Sequence, residues 1–141
     1  MNSEHNTVYF YYFGEINPFG ANNLIILTST KIIQGFNHIY LCISSKGGCN
    51  FSALTLYNYL NKLPVKFTVH NIGFVESAAN IVFMAASERI ASPNSRFVIH
   101  GSKIKFPNDL GLTSDELLES AYGLINDEKI FSNIISNTIN C

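Results

Sequence analysis

The sequence predicts an α/β fold with a mostly parallel sheet. Three observations carry that expectation. Short apolar strands alternate with helix-length segments along the chain, the pattern of βαβ units. Ile39-Tyr40-Leu41-Cys42-Ile43 is an unbroken apolar run, as in a strand buried on both faces of a parallel sheet. At 141 residues, 47% of them apolar, the chain has enough material for one domain with a sizeable core. Strands joined in this way take right-handed crossovers.

The elements follow in order. Val8-Tyr9-Phe10-Tyr11-Tyr12-Phe13 is a β-rich aromatic run ended by Gly14, read as core and subunit contact. Asn17-Pro18-Phe19-Gly20 reads as a turn, and residues 21–34 as a helix stopped by Gly35. A strand is expected over 39–43, then a glycine-containing loop over 44–49. Asn50 is placed to cap a helix over 51–60. Pro64 breaks the chain before a strand over 65–69. Residues 78–86 are apolar almost all round, as in a buried helix. A short extended piece over 89–91 precedes Pro93, and a strand is expected over 96–99. After a polar loop over 101–111, Thr113 and Glu116 form a capping box. The long helix it opens runs towards residue 138, with Leu117, Ala121, Leu124, Phe131 and Ile135 on one face.

Composition excludes several classes of function. Nine basic and ten acidic residues leave a net charge of −1 with no basic run, against nucleic-acid binding. Charged residues are only 13%, so the surface is polar and uncharged, or partly covered by partner subunits. No apolar run is long enough to span a bilayer, and residues 1–6 lack the character of a signal peptide. Cys42, Cys49 and Cys141 are odd in number and at no metal-like spacing. Neither a metal nor a cofactor is expected, and a reducing cytoplasm fits best. His38 and Cys42 are four apart, but Cys42 reads as a small buried hydrophobe inside a strand. His70 ends a strand and reads as structural. His5 lies in a tail.

The residues that can carry chemistry lie in two segments. Gly73-Phe74-Val75-Glu76-Ser77-Ala78-Ala79 passes from a strand into an apolar helix, with Ser77 at its first turn. Free N–H groups and the positive helix end there favour an anion. An oxyanion forming on Ser77 would lie near the N–H of Ala78. Gly47-Gly48 is a candidate for the second donor, because glycine allows close backbone approach. His100, at a later strand end, is a candidate base for the Ser77 hydroxyl. Each signal has a plain structural reading: a helix-start serine is commonly a cap, and Gly-Gly is commonly a turn. Their joint order singles them out.

In that order the chain resembles the Clp protease proteolytic subunit family, and more loosely the wider Clp/crotonase fold group. Phe13-Gly14-Glu15-Ile16 resembles the opening strand and turn. Ile39 to Gly48 resembles the strand and Ser-Pro-Gly-Gly loop. Gly73 to Ala79 is similar to the nucleophile segment, and Arg89 to His100 to the strand carrying the base. The helix from Ser114 resembles the handle helix.

The resemblance implies a repeated ββα spiral with a long C-terminal handle helix. It implies a serine endopeptidase working inside a ring-shaped homo-oligomer on peptides or unfolded protein, with an ATP-dependent unfoldase as a partner. By the same resemblance Ser77 is the nucleophile, His100 the base, and Gly48 and Ala78 the oxyanion donors. Crotonase-like chemistry on an acyl thioester would leave Ser77 and His100 without roles.

Three departures stand out. Lys46 replaces the usual proline, and Glu76 the usual small residue before the serine. The family's triad aspartate follows the handle helix, where this sequence stops. Asp109, Asp115 and Asp127 lie in the wrong segment, so the triad acid is not assigned. The expectation is a single Clp protease/crotonase-like domain over residues 1–141, incomplete at its C-terminus. The alternative is a catalytically impaired subunit or scaffold in a mixed ring, since losing the acid costs on the order of 10⁴ in rate.

Overall fold

The computed structural model describes residues 6–139. They fall into two compact units, the first ending at Ile99 and the second starting at His100. Residues 1–5, with the tail residue His5, and Cys141 lie outside the described residues.

The first unit contains β1 (Thr7–Phe13), α1 (Pro18–Ile33), β2 (His38–Ser45), α2 (Asn50–Leu60), β3 (Lys66–Glu76), α3 (Ala79–Met84), β4 (Glu88–Ala91) and β5 (Arg96–Val98). The sheet order is β1-β2-β3-β4, and β5 pairs with β3 beyond the end of β4. Every strand pairing is parallel. The unit is therefore α/β with a parallel sheet, as the alternation of elements predicts.

Local chemistry shifts several boundaries. The residues expected as a turn form the first turn of α1. Asn17 accepts the Gly20 N–H at 2.8 Å, and Pro18 takes the first helical position, where a missing N–H costs nothing. Asn50, expected as a cap, is the first residue of α2, and Cys49 occupies the cap position. The buried stretch over 78–86 is helical only from Ala79 to Met84, although Ala85 and Ala86 remain buried.

The core lies on one face of the sheet. Ile39, Leu41, Ile43, Phe67 and Val69 alternate onto that face and are buried with Leu24 of α1, Ala53, Leu56 and Leu60 of α2, and Ile81 and Val82 of α3. The opposite face carries polar and aromatic side chains in register. His38 sits between the Thr7 and Thr68 hydroxyls at 3.0 and 2.8 Å. His70 lies within β3, not at a strand end, and bonds the Tyr40 hydroxyl at 3.0 Å and the Ser92 hydroxyl at 2.9 Å. Both imidazoles are thus engaged in holding neighbouring strands together. Cys42 is buried in β2, in register with His70, as its apolar setting predicts.

In the second unit, a loop leads to α4 (Ser114–Ile139). The capping box forms as expected: Thr113 N–H donates to the Glu116 carboxylate at 2.8 Å, and Glu116 N–H donates to Thr113 Oγ1 at 3.2 Å. The Thr113 N–H and the Thr113 hydroxyl, both donating to the Glu116 carboxylate, hold it below its ordinary pKa. No residue of α4 is buried; of its expected apolar face, Leu124, Phe131 and Ile135 are half-buried, while Leu117 and Ala121 are exposed.

Candidate active site

Strand β3 was expected to end near Val69, yet it runs on to Glu76. The cause is a bulge. Ile43 pairs with Asn71, but Ser45 pairs with Val75, so three residues of β3, Ile72 to Phe74, lie against the single residue Ser44 of β2. Asn71, fully buried, holds the bulge together. Its Oδ1 accepts the Gly73 N–H at 3.0 Å, and its Nδ2 donates to the Arg96 carbonyl at 2.9 Å. Ser44 Oγ accepts the Phe74 N–H at 3.2 Å. A side chain at Gly73 would meet that Ser44 hydroxyl at 2.6 Å, which is why glycine stands there. Beyond the bulge, Phe74, Val75 and Glu76 pair with β5 instead of β4.

Replacing Asn71 by alanine leaves the part-buried Gly73 N–H and Arg96 carbonyl without their partner. The expected loss is about 1–3 kcal/mol, since an unsatisfied buried group costs about 1–3 kcal/mol and these two are only partly shielded from water. Urea unfolding monitored by circular dichroism measures it directly. A loss below about 0.5 kcal/mol would show that the bulge does not depend on this amide.

Ser77 follows β3 directly, in the turn before α3 rather than in the helix's first turn. Its φ is +52°, and no other non-glycine residue among those described has a positive φ. A left-handed conformation is costly for a residue with a Cβ, and such residues gather at functional sites. A sharp strand-to-helix turn of this kind lifts a nucleophile clear of the sheet. Ser77 is half-buried. Since α3 has only six residues and starts two residues later, hydrogen-bond donors matter more here than a helix dipole.

The glycine loop lies against this turn. A Cβ built on Gly47 would stand 2.8 Å from both the Glu76 carbonyl oxygen and Ser77 Cβ, and 3.1 Å from the Ala78 nitrogen. Gly47 also has a φ of +94°. The two glycines are not equivalent as donors. Gly47 N–H is used by Ser45 Oγ at 3.1 Å. The Gly47 carbonyl accepts the Ile16 N–H at 2.8 Å, and the Cys49 N–H donates back to Ile16 at 2.8 Å. In a planar trans peptide the N–H points opposite to the carbonyl. Gly48 N–H therefore faces away from Ile16.

The same rule orients Ala78. The Ser77 carbonyl accepts the Asn80 N–H at 3.0 Å, so the Ala78 N–H points the other way. The Ala78 N–H thus adjoins a half-buried serine in a strained turn, and the glycine loop packs against the same turn, an arrangement suited to a developing oxyanion. Cys49, next to Gly48, is half-buried. The Ser52 hydroxyl, with the N–H groups of Ser52 and Phe51, draws its thiol pKa below the ordinary value.

The structure brings Ser77, Ala78, Gly47 and Gly48 together within the first unit. His100 is exposed and opens the second unit, with its Nδ1 2.8 Å from the Gly101 carbonyl. Val98, two residues before it in sequence, belongs to the first unit and accepts the Ser77 N–H at 2.9 Å. Lys46 is exposed and Glu76 half-buried. Asp109 lies in the second unit's loop, and Asp115 and Asp127 on α4.

The sequence model of the Clp protease family matches residues 10–133. The chain belongs to the Clp protease family. It is a family of peptidases, and the match spans the glycine loop, Ser77 and His100. No curated protein sequence matches the chain. Among solved structures, an asparagine-to-aspartate mutant of ClpP1 from Listeria monocytogenes is similar, with 22% identity and a TM-score of 0.79. The likeness covers 96% of this chain and 72% of that one, and it is a likeness of fold. The Clp fold and the family expected from the glycine loop and nucleophile segment are thus both found.

Proposed function

We propose that the protein is a serine endopeptidase subunit that cleaves peptide bonds inside an oligomeric chamber. The observation that carries the reading is Ser77 itself: a half-buried serine at φ +52° in a turn against which the Gly47-Gly48 loop packs. In this reading Ser77 Oγ attacks the scissile carbonyl and its proton passes to His100. The carbonyl oxygen becomes an oxyanion held by the Gly48 and Ala78 N–H groups. Collapse breaks the C–N bond, and His100 returns the proton to the leaving amine. Water then releases the acyl group from Ser77 by the same steps in reverse order. The role of His100 rests on the family's order of serine and histidine, and the chamber on the family's habit of assembly. An ATP-dependent unfoldase feeding that chamber, and a cytoplasmic setting, belong to the same proposal.

A biotinylated fluorophosphonate tests the nucleophile. Ser77 Oγ would displace fluoride from phosphorus, leaving a stable ester that mass spectrometry maps to one peptide. Labelling at Ser77 in the native protein, blocked by prior denaturation, is the expected result. A folded protein that leaves Ser77 unlabelled, yet assembles with an active homologue, would replace this reading with that of a scaffold subunit.

A further inference from the structure

The structure assigns a positioning role to Asn80, a role that rests on the peptidase reading: its side-chain amide sets the direction of the Ala78 N–H. Asn80 is 1% exposed within a short helix whose other buried members are Ala79, Ile81, Val82 and Phe83. Nothing in that apolar setting calls for an amide. The Nδ2 group uses two hydrogen bonds, to the Ser77 carbonyl at 3.0 Å and to the Val98 carbonyl at 2.9 Å. Its Oδ1 is buried without a partner. A group retained for packing alone would not leave an acceptor unsatisfied, so the unmet oxygen marks the donor side as the reason for the residue.

The two carbonyls Asn80 holds are those that define the turn. The Val98 carbonyl also accepts the Ser77 N–H, which fixes the peptide before Ser77 against β5. The Ser77 carbonyl also accepts the Asn80 N–H, which fixes the peptide after Ser77. The four bonds close a ring around the serine and lock both of its flanking peptide planes. Because the Ser77–Ala78 peptide is planar and trans, holding its carbonyl from one side aims its N–H at the other. That N–H is the proposed oxyanion donor. Serine at this position would offer one hydrogen instead of two, and aspartate none. Asparagine, three residues after Ser77, is the short side chain that can serve both carbonyls.

The test compares Asn80→Leu, which keeps the branched shape, Asn80→Ala, and Asn80→Ser, which keeps one donor. The biotinylated fluorophosphonate is used under conditions that give its apparent affinity and its maximal rate separately. The expected result is a fall in the maximal labelling rate of about 10- to 100-fold for leucine and alanine, at unchanged apparent affinity, with serine between them. Asn61→Ala, which removes a bond to the Ala85 carbonyl elsewhere, should label at the wild-type rate. A merely structural amide would lower the fraction of protein that labels but not the rate of the folded part. Equal rates in wild type and in the leucine and alanine variants would overturn the positioning role and leave the peptidase reading intact. Absence of labelling in folded wild-type protein would overturn both.

Discussion

Replacing Ser77 by alanine is expected to lower peptide cleavage by a factor on the order of 10⁶, leaving only what the oxyanion donors and binding supply. Stability should barely change. No hydrogen bond of the fold passes through the Ser77 hydroxyl among the described residues, whereas the Ser77 N–H and carbonyl, which the substitution keeps, carry the turn. Alanine at φ +52° is strained much as serine is, so the shift should stay within about 0.5 kcal/mol. The contrast between large kinetic and small thermodynamic effects is the signature of a nucleophile. Cleavage of a fluorogenic peptide by the native assembly, with thermal unfolding alongside, checks both halves. Unchanged cleavage would sink the assignment.

The second large effect concerns Gly47. Alanine there meets two obstacles: a φ of +94°, and a Cβ 2.8 Å from both the Glu76 carbonyl oxygen and Ser77 Cβ. The clash is largely with backbone, so no flexible side-chain end can swing aside. Either the glycine loop lifts away from Ser77 or the turn itself moves. The expected loss is on the order of 3 kcal/mol, the sum of a disallowed backbone angle and a steric conflict. Activity should fall with it, because the loop carries the Gly48 donor. Gly14→Ala is the matched control. Its φ is +115°, but a Cβ there would meet nothing within 4 Å, so it carries the strain without the clash. Denaturant unfolding of the two variants separates the terms. If Gly47→Ala cost no more than Gly14→Ala, the contact between the glycine loop and the serine turn would not be the close one described.

Much of the site was legible because local chemistry writes itself into neighbouring residues. The apolar run at 39–43 had to be a central strand. Gly47-Gly48 reads as a turn or as a place of close backbone approach, and both glycines have positive φ. The capping box at Thr113 was readable from two residues three apart. Those features depend on side-chain type and short spacing.

What stayed hidden depends on partners far away in sequence. The bulge in β3 is held by the Arg96 carbonyl, 25 residues from Asn71. The Asn80 amide reaches Val98, 18 residues away. A backbone carbonyl is the same in every residue, so nothing in the sequence at Arg96 or Val98 announces that it will be an acceptor. For the same reason Ser77 read as the first turn of a helix. Its left-handed angle is held by two flanking peptides, one tied to Val98 of β5 and the other to Asn80 of α3, which no local preference of serine would choose.

The sequence by itself determined the fold class, the order of strands and helices, the family, and which serine and which glycines to examine. Only the tertiary structure decided that β3 overruns its expected end, that the Gly47 N–H is taken by Ser45 while the Gly48 N–H faces away from Ile16, and that Asn71 holds the bulge and Asn80 the serine turn. The division has one physical cause: side-chain patterns are local and visible along the chain, whereas the direction of a peptide plane is set by whichever distant group bonds it.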